Sequence, residues 1–163
     1  MPNVQALLTE KFSDAVRRIV FRDNVRYVVS PDRLIEVMTA LKAAGFDYLV
    51  DVAGIDYLNY PDATDRYGVV YALANTETAE RVFVKVLVND PDPTVPSVYS
   101  LWKGADWMER EVYDMFGVRF TGHPDLRRIL MPQEFTSYPL RKDYPLRGHG
   151  ERHNFPSLTR AES

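Results

Sequence analysis

The chain contains no cysteine. That absence excludes disulfides, thiolate nucleophiles, Cys-ligated zinc and Cys-ligated iron–sulfur clusters. No run of about 18 or more apolar residues occurs, so no membrane-spanning helix is expected. Behind Met1 there is no basic segment followed by an apolar one, so no secretory signal is expected and the protein is expected to stay in the cytoplasm. A glycine-rich phosphate loop, a Gly-x-Ser-x-Gly elbow and a base-stacking pattern of aromatics between basic residues are all missing. Internal repeats and low-complexity blocks are missing too.

What remains is 163 residues with 45% apolar and 26% charged positions, enough for one globular domain with a modest core and an extended tail. The charge is uneven. Residues 1–116 hold 12 Lys and Arg against 18 Asp and Glu, while residues 117–163 hold 8 against 5. A basic tail fits an acidic protein partner, anionic lipid or nucleic acid. Three excess charges diluted by proline and aromatics make nucleic acid the weakest of these.

Residues 4–21 place Val4, Leu7, Leu8, Phe12, Val16, Ile19 and Val20 at helical spacing, which predicts one amphipathic helix. Residues 25–29 read as a short strand. Ser30-Pro31-Asp32 then supplies an N-cap, a proline at the first helical position and an early acid, opening a helix that Gly45 closes. Residues 48–57, 67–75 and 81–88 read as strands. In the last, Val82, Val84, Val86 and Val88 alternate with Phe83, Lys85 and Leu87. Short connections between these strands predict an antiparallel meander. Asp106, with Glu109 three places on, predicts a capping box for a helix that ends at Gly117. Pro124, Pro132, Pro139, Pro145 and Pro156 interrupt everything later. The expected fold is α+β: a mixed, mainly antiparallel sheet of about four strands with helices packed on it. Residues 1–120 would form the core and residues 121–163 an extended, proline-rich C-terminal arm.

Three constellations can carry chemistry. Glu111 and Asp114 lie three apart on one helix face, as an acid/base dyad requires if burial separates their pKa values. The bland alternative pairs Arg110 with Asp114 along the helix, although a carboxylate near a helix C-terminus needs some further group to hold it. His123 sits in a Gly-His-Pro turn, where backbone hydrogen bonding is its ordinary role. His149-Gly-Glu-Arg-His153 spaces two imidazoles four apart, but the flanking glycines weaken any helix that would present them to a metal. The arm 139–146 combines Arg141, Lys142, Asp143 and tyrosine with apolar anchors, a composition suited to wrapping a partner.

Glu109-Arg110-Glu111, Asp114-Met115-Phe116, six further residues, His123, Arg127 and Ile129-Leu130 resemble the signature of the thirty-kilodalton subunit family of proton-pumping NADH:quinone oxidoreductase, respiratory complex I. Val95-Pro96-Ser97-Val98, the run from Trp102 to Trp107 and the run from Pro139 to Tyr144 resemble it as well. The likeness extends from about Gly45 to Tyr144 and is strongest over residues 95–146. It implies a structural subunit of the peripheral arm that holds no cofactor itself, with FMN, iron–sulfur clusters, NADH and quinone bound by partner subunits. It implies docking on the larger quinone-site subunit, the forty-nine-kilodalton type, near the iron–sulfur subunits. The resulting hetero-oligomer would bring this chain to the membrane's cytoplasmic face only through the complex. The family has no assigned catalytic residues. Its motif falls here on Glu109, Arg110, Glu111, Asp114, His123, Arg127 and Arg128, with Arg141, Lys142 and Asp143 in the arm, all expected to act at interfaces. Related subunits serve membrane-bound hydrogenases and ferredoxin-linked complexes, which is the alternative assembly. A stand-alone carboxylate enzyme using Glu111 and Asp114 is the alternative of a different class.

Overall fold

Sheet pairing overrides helical spacing at the start of the chain. The computed structural model describes residues 4–22 and 24–151. In it helix α1 (Val4–Lys11) stops well short of the expected end, and β1 (Val16–Phe21) instead forms an antiparallel hairpin with β2 (Asn24–Val29). Its register runs from Val16 opposite Val29 to Phe21 opposite Asn24. Val16, Ile19 and Val20 satisfy a helical stripe and a strand equally well over so short a span, and being β-branched they fit the pleated surface that β2 offers.

A 3₁₀ turn at Pro31–Arg33 leads into α2 (Leu34–Ala43), which buries Leu34, Val37, Met38 and Leu41 and ends at Gly45. Strands β3 (Tyr48–Asp56), β4 (Tyr67–Ala74) and β5 (Arg81–Val88) form the expected antiparallel meander. β5 then pairs with β2 in parallel, giving one five-stranded mixed sheet in the order β1-β2-β5-β4-β3. The strand beyond the expected four is β1. Tyr67, Val69, Tyr71 and Leu73 of β4 and Val82, Val84, Val86 and Val88 of β5 point to the helix side and are buried. The intervening Val70, Phe83, Lys85 and Leu87 point the other way and are only half-buried.

A second, two-stranded parallel ribbon joins β6 (Thr94–Pro96) to β7 (Arg119–Thr121), on either side of α3 (Ala105–Phe116). Helix α3 begins one residue before the predicted capping box. Gly104 flanks it, Asp106 lies inside the first turn, and Ala105 donates its N–H to the Trp102 carbonyl at 3.0 Å. A backbone turn therefore serves the helix start, and Glu109 is released for other partners. Gly54 on β3 sets how closely α3 approaches the sheet: a Cβ there would overlap the Phe116 ring and lie 3.1 Å from Val112 Cγ1.

Gly54→Ala should therefore lower the unfolding free energy by about 1–3 kcal/mol through overpacking, read by denaturant titration. An unchanged midpoint and slope would show that the helix is not seated there.

Candidate docking surface at the end of the third helix

An α-helix ends with carbonyls that no later turn can pair. In α3 these belong to residues 113–116, and each has a partner. Gly117, in the left-handed conformation at φ +77°, donates its N–H to Tyr113 at 2.8 Å. Arg128 Nη1 reaches the Asp114 carbonyl at 3.2 Å, the Leu140 N–H reaches Met115 at 3.1 Å, and Arg141 Nε reaches Phe116 at 2.6 Å. Two of these donors are guanidinium groups, the favoured sign at a helix C-terminus. Three of the four partners come from residues 128–141. A side chain on Gly117 would strike the Tyr138 ring at 2.6 Å. The arm is thus the C-terminal cap of α3, docked on its own core.

Asp114 is fully buried and organises the same contact. Its Oδ2 accepts three successive backbone N–H groups, from Ile129 at 3.0 Å, Leu130 at 2.7 Å and Met131 at 2.8 Å. Its Oδ1 accepts Arg128 Nη1 at 2.6 Å. Burial alone would push this carboxyl up, but the Met131, Leu130, Arg128 and Ile129 donors together hold it below its usual range. The partner sequence reasoning missed is Arg128. Arg110 does not pair with Asp114; it lies 3.8 Å from Asp106 and donates to the carbonyls of Arg127 at 3.2 Å and Arg128 at 3.4 Å. Arg110 thereby braces the loop that carries Arg128.

Farther along the arm, the Lys142 N–H donates to buried Asp56 at 2.8 Å. Arg66 bonds Asp90 at 2.7 Å and Asp143 at 2.6 Å, with Asp56 at 3.5 Å. Its guanidinium holds the Asp143 carboxyl below the usual range. Arg66 and Asp56 carried no sequence signal, because nothing local links positions 56, 66, 90 and 143.

Among the described residues no lysine or arginine pairs with Glu109. Its side chain is fully buried, accepting Ser97 Oγ at 2.6 Å and the Val98 N–H at 2.8 Å. Burial pushes its carboxyl up to about 7, against the pull of the Ser97 and Val98 bonds and with the Asp106 charge pushing further. His123 Nε2 lies 4.0 Å away but is engaged with the Asp106 carbonyl at 3.2 Å, while Nδ1 accepts the Asp125 N–H at 3.1 Å. Both ring nitrogens hold backbone, the ordinary role for a turn histidine.

The dyad does not form. Glu111 is exposed, whereas Asp114 is buried and held by four donors. Of the remaining motif residues, Arg127 is exposed beside Asp125, and Lys142 uses its backbone while its side chain stays exposed. His149 lies against Tyr144, and His153 falls outside the described residues. Among the described residues no cluster of His, Asp and Glu has metal-binding geometry. Glu111, Arg127 and Lys142 are exposed, as are the apolar side chains of Trp107, Leu130, Leu140 and Leu146.

Residues 27–150 match the family model described as respiratory-chain NADH dehydrogenase, 30 Kd subunit. NADH-quinone oxidoreductase subunit 5 of Thermus thermophilus is 47% identical over 129 residues, covering 76% of this chain and 62% of that protein. The chain thus spans under two thirds of that relative's length. An NADH-quinone oxidoreductase subunit of Rhizobium etli is 41% identical over 154 residues, covering 92% of this chain and 80% of that protein. Among solved structures, the trypsin-resistant fragment of Nqo5 superposes with a TM-score of 0.69 at 39% identity, over 76% of this chain and 98% of the fragment. A chain of the membrane-bound sulfane sulfur reductase, an archaeal respiratory membrane complex, shares the fold with a TM-score of 0.73 at 24% identity, over 96% of this chain and 91% of that one.

Asp114→Asn leaves Arg128 without its counter-charge and should cost about 3–5 kcal/mol in chemical unfolding. A loss under about 1 kcal/mol would mean that the arm is held elsewhere. For Glu109 the sign is the reverse of an ordinary carboxylate. Its folded pKa of about 7 lies above the ordinary 4.5, so its contribution is full below pH 4.5 and is lost as pH rises through 7. Glu109→Gln should remove that fall, worth about 3 kcal/mol, from a stability–pH profile. A slope that persists in the variant would assign it to other groups.

Proposed function

Because the chain belongs to the 30 Kd subunit family of respiratory-chain NADH dehydrogenase, we propose that it is a structural subunit of the peripheral arm of a proton-translocating NADH:quinone oxidoreductase. In this role it supports electron transfer from NADH through iron–sulfur clusters to quinone without itself carrying electrons. FMN, the clusters, NADH and quinone belong to partner subunits, and no cysteine here competes for them. The partners are the larger quinone-site subunit and the neighbouring iron–sulfur subunits. No helix among the described residues is long and apolar enough to cross a membrane. Attachment to the cytoplasmic face of the membrane would run through the complex.

One observation carries this reading. Arg110, Asp114, Arg128 and Arg141 fix the arm to α3, which leaves Glu111 and Arg127 exposed together with Trp107, Leu130 and Leu140, each more than half exposed. Large apolar side chains ringed by charge, held on a rigid support, are what a protein interface requires. An equivalent role in another respiratory assembly is the second reading, favoured by the fold shared with the sulfane sulfur reductase chain. Relatives at 47% and 41% identity that are named NADH-quinone oxidoreductase subunits favour NADH as the donor.

Affinity purification of the chain from solubilised membranes, followed by mass spectrometry, should recover quinone-site and iron–sulfur subunits in one large particle. A membrane-free monomer in native extract would overturn the proposal. The double variant Trp107→Ala/Leu130→Ala should keep the melting temperature of the isolated chain yet reduce recovered assembly at least about tenfold, the usual consequence of truncating central interface anchors.

A further inference from the structure

The sheet has a second face that no part of this surface uses. Side chains that pair across strands share a face, so the register places Arg17, Val28, Lys85, Val70 and Ala53 in one row across the sheet. Ile19, Arg26, Phe83 and Ala72 form the next row. The helices contribute their buried side chains to a single core cluster on the opposite side, with Val84 and Val86. Among the described residues, the loop carrying Tyr57 and Tyr60 leans over one end of this face, where Lys85 lies 4.4 Å from the Tyr57 ring centroid, and the turn at Ser13–Ala15 borders it beside Arg17 and Val28. Two shallow grooves result. One is lined by Arg26, Ile55, Val70 and Phe83, and the other by Arg17, Tyr57, Tyr60 and Lys85.

Two properties of this face point to a partner. A sheet face that meets water ordinarily alternates apolar-in with polar-out, whereas this one carries Ile19, Val28, Val70, Phe83, Ile55 and Leu87 outward. Among them stand the three cations Arg17, Arg26 and Lys85, with Arg81 on the same face at the start of β5, and none of the four makes an ion pair among the described residues. Arg33, Arg66, Arg110, Arg119, Arg127 and Arg128 each lie beside a carboxylate. The backbone N–H and C=O groups of inner strands are paired within the sheet, so a partner covers this face with side chains and cannot add a strand. A helix layer is one of the standard ways to cover such a face.

We propose that the open face of the five-stranded sheet is a second docking surface, covered by an amphipathic helix of a neighbouring subunit whose apolar stripe is flanked by Asp or Glu. The proposal rests on the reading of this chain as a subunit of a larger assembly, and charge selects the occupant. A second copy docked through the same face would set Arg17, Arg26 and Lys85 against their own counterparts. Residues 152–163 of this chain carry Arg152 and Arg160 against Glu162 and are the wrong sign. An anionic bilayer would meet Asp51 at one edge of the face and Asp62 and Asp65 at the groove rim. A helix can place its acids beside the three cations and avoid those carboxylates.

The test uses the particle purified from membranes and, for comparison, the isolated chain. Lys85 should acetylate at least about tenfold more slowly in the particle, and a zero-length carbodiimide cross-link should join Lys85 to an Asp or Glu of another subunit. Arg26→Glu should leave the melting temperature of the isolated chain within a few degrees while lowering the yield of the particle. Equal acetylation rates overturn the proposal, as does a cross-link to a second copy of this chain. Protection without any carboxylate cross-link overturns the acidic helix as occupant and points to lipid. A chain that runs alone in native extract sinks the respiratory-subunit reading itself, whereas an assembled chain with freely reactive Lys85 sinks only the second surface.

Discussion

The four carbonyls at the end of α3, together with the Asp114 carboxylate beside them, need more donors than the helix can supply. A negative charge at a helix C-terminus is opposed by the helix dipole, and burial opposes it again. Arg128, three consecutive N–H groups from residues 129–131, the Leu140 N–H and Arg141 meet that demand. The C-terminal arm has its shape because those donors must converge on one helix end. Removing the arm would strip the Asp114 carboxylate of its four donors and three helix-end carbonyls of theirs, so residues 128–141 are part of the fold.

The rest is arranged around that junction. Gly54 lets α3 lie close on β3, which fixes where the helix end falls. Arg66 and Asp56, at the β3–β4 connection, then hold the arm at residues 142–143. The charge that makes residues 107–146 look like a reaction centre is consumed by these internal contacts. Asp114 has four donors and no access, while Glu111 has access and, among the described residues, no partner. What the junction leaves outside is a rigid surface of aromatic and aliphatic side chains between exposed charges, suited to holding a neighbour in place.

Local pattern made much of the fold legible. Valine alternation marks β5, the Ser-Pro-Asp start marks the helix after residue 30, and glycines 45 and 117 mark helix ends with positive φ. Residues 16–21 read as helix because three β-branched side chains fit both periods, and the partner strand, which sequence spacing does not show, makes them a strand. At the junction, sequence indicated that Asp114 needs a holder, since its position opposes the dipole. It pointed to Arg110, four residues away, because spacing along a helix is visible in sequence and a loop returning fourteen residues later is not. Glu109 shows the same limit: the apparent capping box hid a buried carboxyl bonded to Ser97 and Val98. Arg66 was invisible because its three carboxylates are brought together by topology alone.

Amide hydrogen exchange at Ile129, Leu130 and Met131 of the isolated chain addresses the central claim most directly. If the arm is an integral cap on α3 organised by Asp114, these three amides exchange slowly in the absence of any partner, with protection approaching that of β4, and lose it in Asp114→Asn. Exchange at unstructured rates in the isolated chain, with protection gained only on assembly, would contradict the account and show that the arm is ordered by its neighbours.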